Sequence, residues 1–192
     1  MIRDRNINYK YQSLYLPAQS FDKLTNFTDA GDAADDLIEV GTTGLLGWKF
    51  DGGDDQIYIT MTTPNQIDWD NSVFYRVIWA IATASDLTLT DTFALSASET
   101  AFGALPAVSA PTAFTSVTDT PSAISVVLAT PWAKTDSTTT DGVAGTSDML
   151  RLYVDCTSDS ANDPRLLGLE IKYLPKLTDG PQTNDQADPT DA

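Results

Sequence analysis

The run SVFYRVIWAIAT (72–83) is the most apolar stretch of the chain. In an extended conformation it places Val73, Tyr75, Val77, Trp79 and Ile81 on one face and Phe74, Arg76, Ile78, Ala80 and Ala82 on the other. Its β-branched and aromatic content predicts a strand rather than a helix. Both faces are mostly apolar, so both need cover. Either the strand is central and covered on both sides, or one face meets the core and the other a second subunit. Arg76 in the middle of the second face favours a partly polar cover, and the interface reading is preferred.

Other runs carry the same period of two. DLIEV (36–40) is short, and LLGWKF (45–50) and QIYITMT (56–62) flank the turn signal DGGDD, so these two are expected to form a hairpin. In the second of them Ile57, Ile59 and Met61 oppose Tyr58, Thr60 and Thr62. LTLTDTFALSA (87–97) aligns Leu87, Leu89, Phe93 and Leu95, with Asp91 interrupting, and is expected to pair back on 73–83. AISVVLAT (123–130) reads as a strand with Ile124, Val126 and Leu128 on one face. MLRLYVDC (149–156) and RLLGLEIKYL (165–174) read as a last pair joined by a polar turn. Strands of this number and spacing, with no amphipathic helix, predict an all-β protein, a single jelly-roll-like antiparallel β-sandwich. The expected organisation is an extended N-terminal arm (1–23), the sandwich (24–177) and a flexible acidic C-terminal tail (178–192).

Charge sharpens this picture. The net charge of the 192 residues is −16. Such a chain repels nucleic acid and anionic membrane, so neither is expected as a partner. Acidity comes from Asp rather than Glu, which suits turns. Arg3, Arg5, Lys10 and Lys23 give the arm a local net of +2 against Asp4 and Asp22, as a docking segment would have. The start MIRDRNINYK lacks the apolar stretch of a secretory signal, and no run reaches the ~18 apolar residues of a membrane span; synthesis in a cytoplasm is expected.

The candidate chemistry is thin. With no His, histidine-dependent nucleophilic sites and His-ligated zinc are excluded. Cys156 stands alone and is expected to be a buried thiol. DGGDD (51–55) lacks the spacing of a calcium loop and reads as a hairpin turn, DWDN (68–71) reads as a turn that docks Trp69, and DAGDAADD (29–36) as a loop or a capped helical turn, so no metal ligands and no cofactor are expected. Pairs of carboxylates carry little information among 24 Asp, while Glu39 and Glu170 fall on strands as solvated positions; no catalytic residue is identified and no enzyme is expected. Of the four Trp, Trp48 and Trp79 look buried, whereas Trp69 and Trp132 lie near turns and are candidates for stacking on a glycan. The polar loop 134–148 is long enough to be functional.

The order of these pieces resembles a known family. The basic, aromatic segment RDRNINYKYQSLYLPAQSF precedes VFYRVIWA, Ala/Thr-rich middle strands, TPWAK, a closing LLGLEIKYLP and an acidic tail. This is similar to the β-sandwich head decoration (cement) proteins of tailed bacteriophages, and also to some tail-fibre or spike domains. The resemblance implies a non-enzymatic virion protein, made in the host cytoplasm, that binds the outer capsid surface and stabilises it. It further implies the major capsid protein and the chain itself, as a homotrimer, as partners. Anchoring then falls to Arg3, Arg5, Tyr9, Lys10, Tyr11 and Tyr15, and self-association to Tyr75, Val77, Trp79 and Tyr173. The other reading is a fibre, spike or carbohydrate-binding sandwich that recognises a host-surface glycan through Trp69 or Trp132.

Overall fold

The computed structural model describes residues 11–23, 37–40, 42, 44–50, 56–62, 64, 67, 73–81, 87, 90–100, 112–135, 149–156, 164–173 and 175. In chain order the strands are β1 (Gln12–Pro17), β2 (Asp22–Lys23), β3 (Leu37–Glu39), β4 (Leu46–Lys49), β5 (Gln56–Thr62), β6 (Phe74–Ala80) and β7 (Asp91–Thr100). They continue with β8 (Thr112–Ala113), β9 (Val117–Asp119), β10 (Leu128–Ala129), β11 (Ala133–Lys134), β12 (Met149–Cys156) and β13 (Arg165–Tyr173). A single 3-10 turn, Ala18–Ser20, separates the first two.

Two antiparallel sheets result. Sheet I is seven-stranded and runs β10-β6-β13-β4-β3, with β11 also on β6 and β1 also on β13. Sheet II is six-stranded and runs β2-β5-β12-β7-β8, with β9 also on β7. The chain is an all-β sandwich of jelly-roll type, as the period-2 runs predict.

The partners differ from those expected. None of the three anticipated hairpins forms. β4 pairs with β3 and β13 in sheet I, while β5 pairs with β2 and β12 in sheet II. β6 lies in sheet I and β7 in sheet II; the same holds for β13 and β12. Successive strands therefore cross between sheets. Packed sheets lie about 10 Å apart, a span that connections of five or more residues such as 51–55 and 157–163 can bridge. A local hairpin does occur at β3–β4, where Val40 N–H donates to Leu45 O at 2.8 Å and Gly44 adopts φ 75°.

The core lies between the sheets. Tyr75, Val77 and Trp79 of β6 and Leu166, Leu169 and Ile171 of β13 meet Phe93 and Leu95 of β7 and Leu150, Leu152 and Val154 of β12. The Trp79 and Phe93 rings pack edge-on at 5.4 Å across the gap, and Trp79 Nε1–H donates to Asp119 Oδ2 at 3.0 Å. Cys156 is buried in the same cluster.

The assignment of Tyr75, Val77 and Trp79 to self-association is corrected here. All three are fully buried between this chain's own sheets. The opposite face of β6, with Phe74, Arg76 and Ile78, is the one that looks outward. Tyr173 is likewise buried, its hydroxyl directed at Gln12 Oε1 at 3.5 Å.

Tyr75 also makes stability sensitive to alkali. Its hydroxyl donates to Thr115 O, and burial pushes its pKa far above the ordinary 10.0. Tyr15 is raised in the same direction by burial and then by the Glu170 charge. A raised folded-state pKa means the native state holds these protons more tightly than the unfolded chain. Their contribution is complete below the unfolded value and is lost as pH rises above it. Denaturant midpoints are expected to fall above pH 10, and Tyr75→Phe to flatten that fall while costing about 1 kcal/mol at neutral pH.

Candidate binding face on the outer side of sheet I

The solvent side of sheet I is built by strand register. Tyr15 of β1 lies opposite Glu170 of β13, which lies opposite Arg76 of β6. In the next row Ser13, Lys172, Phe74 and Lys134 follow one another across β1, β13, β6 and β11. Alternation along β13 (Leu169, Ile171 and Tyr173 inward; Glu170 and Lys172 outward) sets the polar rows over an apolar base.

Trp132 joins this face through a break in the edge strand. Between β10 and β11 the chain carries one residue more than the facing part of β6, which makes a bulge. Pro131 has no N–H to give to the ladder. Thr130 holds the break instead: its N–H donates to Val77 O and its Oγ1 accepts from Val77 N–H, each at 3.0 Å. Trp132 is thereby placed half-buried beside Arg76 and Lys172.

Charge and aromatic groups then interlock. Arg76 Nε and Nη2 reach Glu170 Oε2 at 2.7 and 2.6 Å. The Arg76 guanidinium lies 4.6 Å from the Trp132 ring centre, and the Lys172 ammonium lies 5.0 Å from the same ring and 5.8 Å from that of Tyr11. Tyr11 meets Phe74 edge-on at 5.8 Å. At the other end Tyr15 crosses Gly168, its hydroxyl donating to Leu167 O at 3.1 Å. A Cβ at Gly168 would come within 2.6 Å of the Tyr15 ring. Gly168→Ala is expected to swing that ring off its seat, costing about 1 kcal/mol through the lost hydrogen bond. Chemical denaturation reads the cost, and tyrosinate absorbance should show Tyr15 returning toward its ordinary pKa.

Of the residues singled out in the sequence, Tyr11, Tyr15 and Trp132 come together on this face, with Tyr11 and Tyr15 43% and 51% exposed. Tyr11 immediately precedes, and Tyr15 lies in, a strand that pairs with β13 over its full length, so this part of the expected arm is woven into the sandwich. Arg3, Arg5, Tyr9, Lys10 and Trp69 lie outside the described residues, as do 136–148, the three Asp-rich turns and the acidic tail. Phe74, Arg76, Glu170 and Lys172 were not assigned a binding role from sequence. The signal for them was present as the outward half of two alternating strands.

Other surfaces differ. The outer side of sheet II presents Thr60, Thr62, Ser96 and Ser98, with Tyr58 packed on Tyr153 at 6.3 Å and Arg151 over Tyr58 at 4.9 Å. The expected strand at 123–130 is mostly a turn: Ser125 has φ 53° and donates to Ile81 O at 2.8 Å, leaving Ile124, Val126 and Val127 exposed. Among the described residues no group of three or more acidic, Cys or His side chains is placed to hold a metal ion.

No family model and no curated protein matches the chain. Solved structures with a similar layout include the CBM36-1 domain of a multidomain xylanase from the hindgut metagenome of Trinervitermes trinervoides, at 9% identity and TM-score 0.49, covering 83% of this chain and 96% of that one. Another is the CBM22-1–GH10 modules of Clostridium thermocellum endo-1,4-beta-D-xylanase 10B complexed with xylohexaose, at 15% identity and TM-score 0.48, over 88% of this chain and 29% of that one. A third is dimeric latent PorU from Porphyromonas gingivalis, at 10% identity and TM-score 0.46, over 89% of this chain and 13% of that one.

Proposed function

We propose that the chain is a non-catalytic glycan-binding β-sandwich module whose binding face is the outer side of sheet I. The observation that carries this reading is the set of rings from Tyr11, Tyr15 and Trp132 on one four-stranded face, interleaved with Arg76, Glu170 and Lys172. A sugar offers an apolar C–H face to a ring and hydroxyls to flanking charged groups, and this face provides both kinds of partner. From β1 to β11 is three strand spacings, roughly 14 Å, enough for more than one sugar unit. Among the described residues of β1, β6, β11 and β13, Glu170 is the only carboxylate, and it is engaged by Arg76. Glycoside hydrolysis ordinarily needs two. Retardation of the protein in gels impregnated with a panel of polysaccharides tests the reading. At least one polysaccharide should retard the wild type and not Trp132→Ala; equal mobility of both proteins across the panel would overturn it.

A second reading follows the resemblance to capsid decoration proteins. It is favoured by the exposed Tyr11 and Tyr15, which continue the segment carrying Arg3, Arg5, Tyr9 and Lys10. On that reading the chain mounts on a capsid through residues 1–10, as a homotrimer at the virion surface. The truncation that separates the two must stop before Tyr11, because a cut after Lys23 removes β1 and β2 from the sheets. Loss of 1–10 should spare glycan binding in the first reading and abolish capsid attachment in the second.

A further inference from the structure

The charge pattern of the same face narrows its ligand. This step rests on the glycan reading above and specifies the class of sugar. The chain carries 27 acidic and 11 basic residues, yet on this face Arg76 and Lys172 stand with Glu170 as the one carboxylate among the described residues. Glu170 is paired with Arg76 at 2.6 Å. Lys172 has two aromatic neighbours, Tyr11 and Trp132, and among the described residues no carboxylate within ion-pairing distance. In a protein this acidic, a carboxylate partner for a sheet-face lysine is easily supplied. Here the ammonium is held between rings instead, with no carboxylate partner among the described residues and its position fixed by β13.

We infer that the face takes an anionic saccharide, with the negative group of one sugar unit at Lys172 and the ring of the same or the next unit on Trp132. The contact is a charge-assisted hydrogen bond from the ammonium, formed beside rings that exclude water. Arg76 acts as a positioning residue: bound by Glu170, it fixes Trp132 rather than the ligand. The rest of the body repels anions, but at 0.15 M salt that field decays over about 8 Å, so the local arrangement governs short ligands.

The test is calorimetric titration in 0.15 M salt with oligogalacturonate, its methyl ester and a sulfated galactan oligosaccharide, using wild type, Lys172→Met and Trp132→Ala. Lys172→Met keeps the length and apolar stem of the side chain at a half-buried, outward-facing strand position. The inference predicts that at least one acidic ligand binds about tenfold or more tightly than the uncharged ester, and that Lys172→Met removes this preference. Comparison of the carboxylated with the sulfated ligand identifies the anion. Equal binding of acid and ester, lost in Trp132→Ala, would overturn the anion preference and leave the glycan reading standing. Absence of binding by all three ligands, with a neutral polysaccharide retarding the protein in gels, would also overturn it. Absence of any glycan binding at all would overturn both.

Discussion

Trp79→Ala is expected to destabilise the fold by about 3–5 kcal/mol, the range for truncating a large aromatic side chain in a core. The indole is fully buried, lies 5.4 Å from Phe93 of the facing sheet, and holds Asp119 Oδ2 with its N–H. The substitution opens a cavity at the junction of the sheets and removes one of the donors to the Asp119 carboxylate, which keeps the Thr120 N–H; the two costs add. Domains of this size have total stabilities of roughly 5–15 kcal/mol, so one truncation removes a large share. Urea denaturation gives the number directly. A loss below about 1 kcal/mol would mean that Trp79 does not tie the two sheets together, and would reopen the assignment of β6 to a subunit interface.

Trp132→Ala is expected to do the reverse. It removes a half-buried ring whose described partners are the Arg76 and Lys172 cations, worth about 0.5–1 kcal/mol each at exposed sites. Stability should fall by about 1–2 kcal/mol for the two contacts together. Glycan affinity should fall at least tenfold, because a stacking ring contributes only in the complex and a tenfold change needs about 1.4 kcal/mol. The two Trp thus separate fold from function. Titration of the folded Trp132→Ala protein against any retained polysaccharide measures the second effect, and circular dichroism confirms that the sandwich is intact. Unchanged affinity in a folded variant would remove Trp132 from the binding face.

The sheet class was legible because period-2 runs report which side chains share a face. Ile57, Ile59 and Met61 do pack toward the core, and so do Tyr75, Val77 and Trp79. Pairing was not legible. Alternation does not name a partner, and polar connections such as DGGDD serve equally for a hairpin or for a crossing between sheets. The misplacement of the interface on β6 has the same origin: both faces are apolar, and only the pairing of β13 and the position of sheet II decide which is inside. Trp132 was visible as a ring near a turn, whereas its neighbours come from β13 and β6 and are brought to it by register alone. The break at 130–132 depends on a Thr hydroxyl replacing a ladder hydrogen bond, a substitution that composition does not reveal.

The most direct test of the central claim is amide and indole NMR shift mapping during titration with a retained glycan. The perturbed signals should cluster at Tyr15, Arg76, Trp132, Glu170 and Lys172, including the Trp132 indole N–H, while the Trp79 indole stays fixed. Perturbations confined to sheet II or to residues 124–127, with the Trp132 indole unmoved, would contradict it.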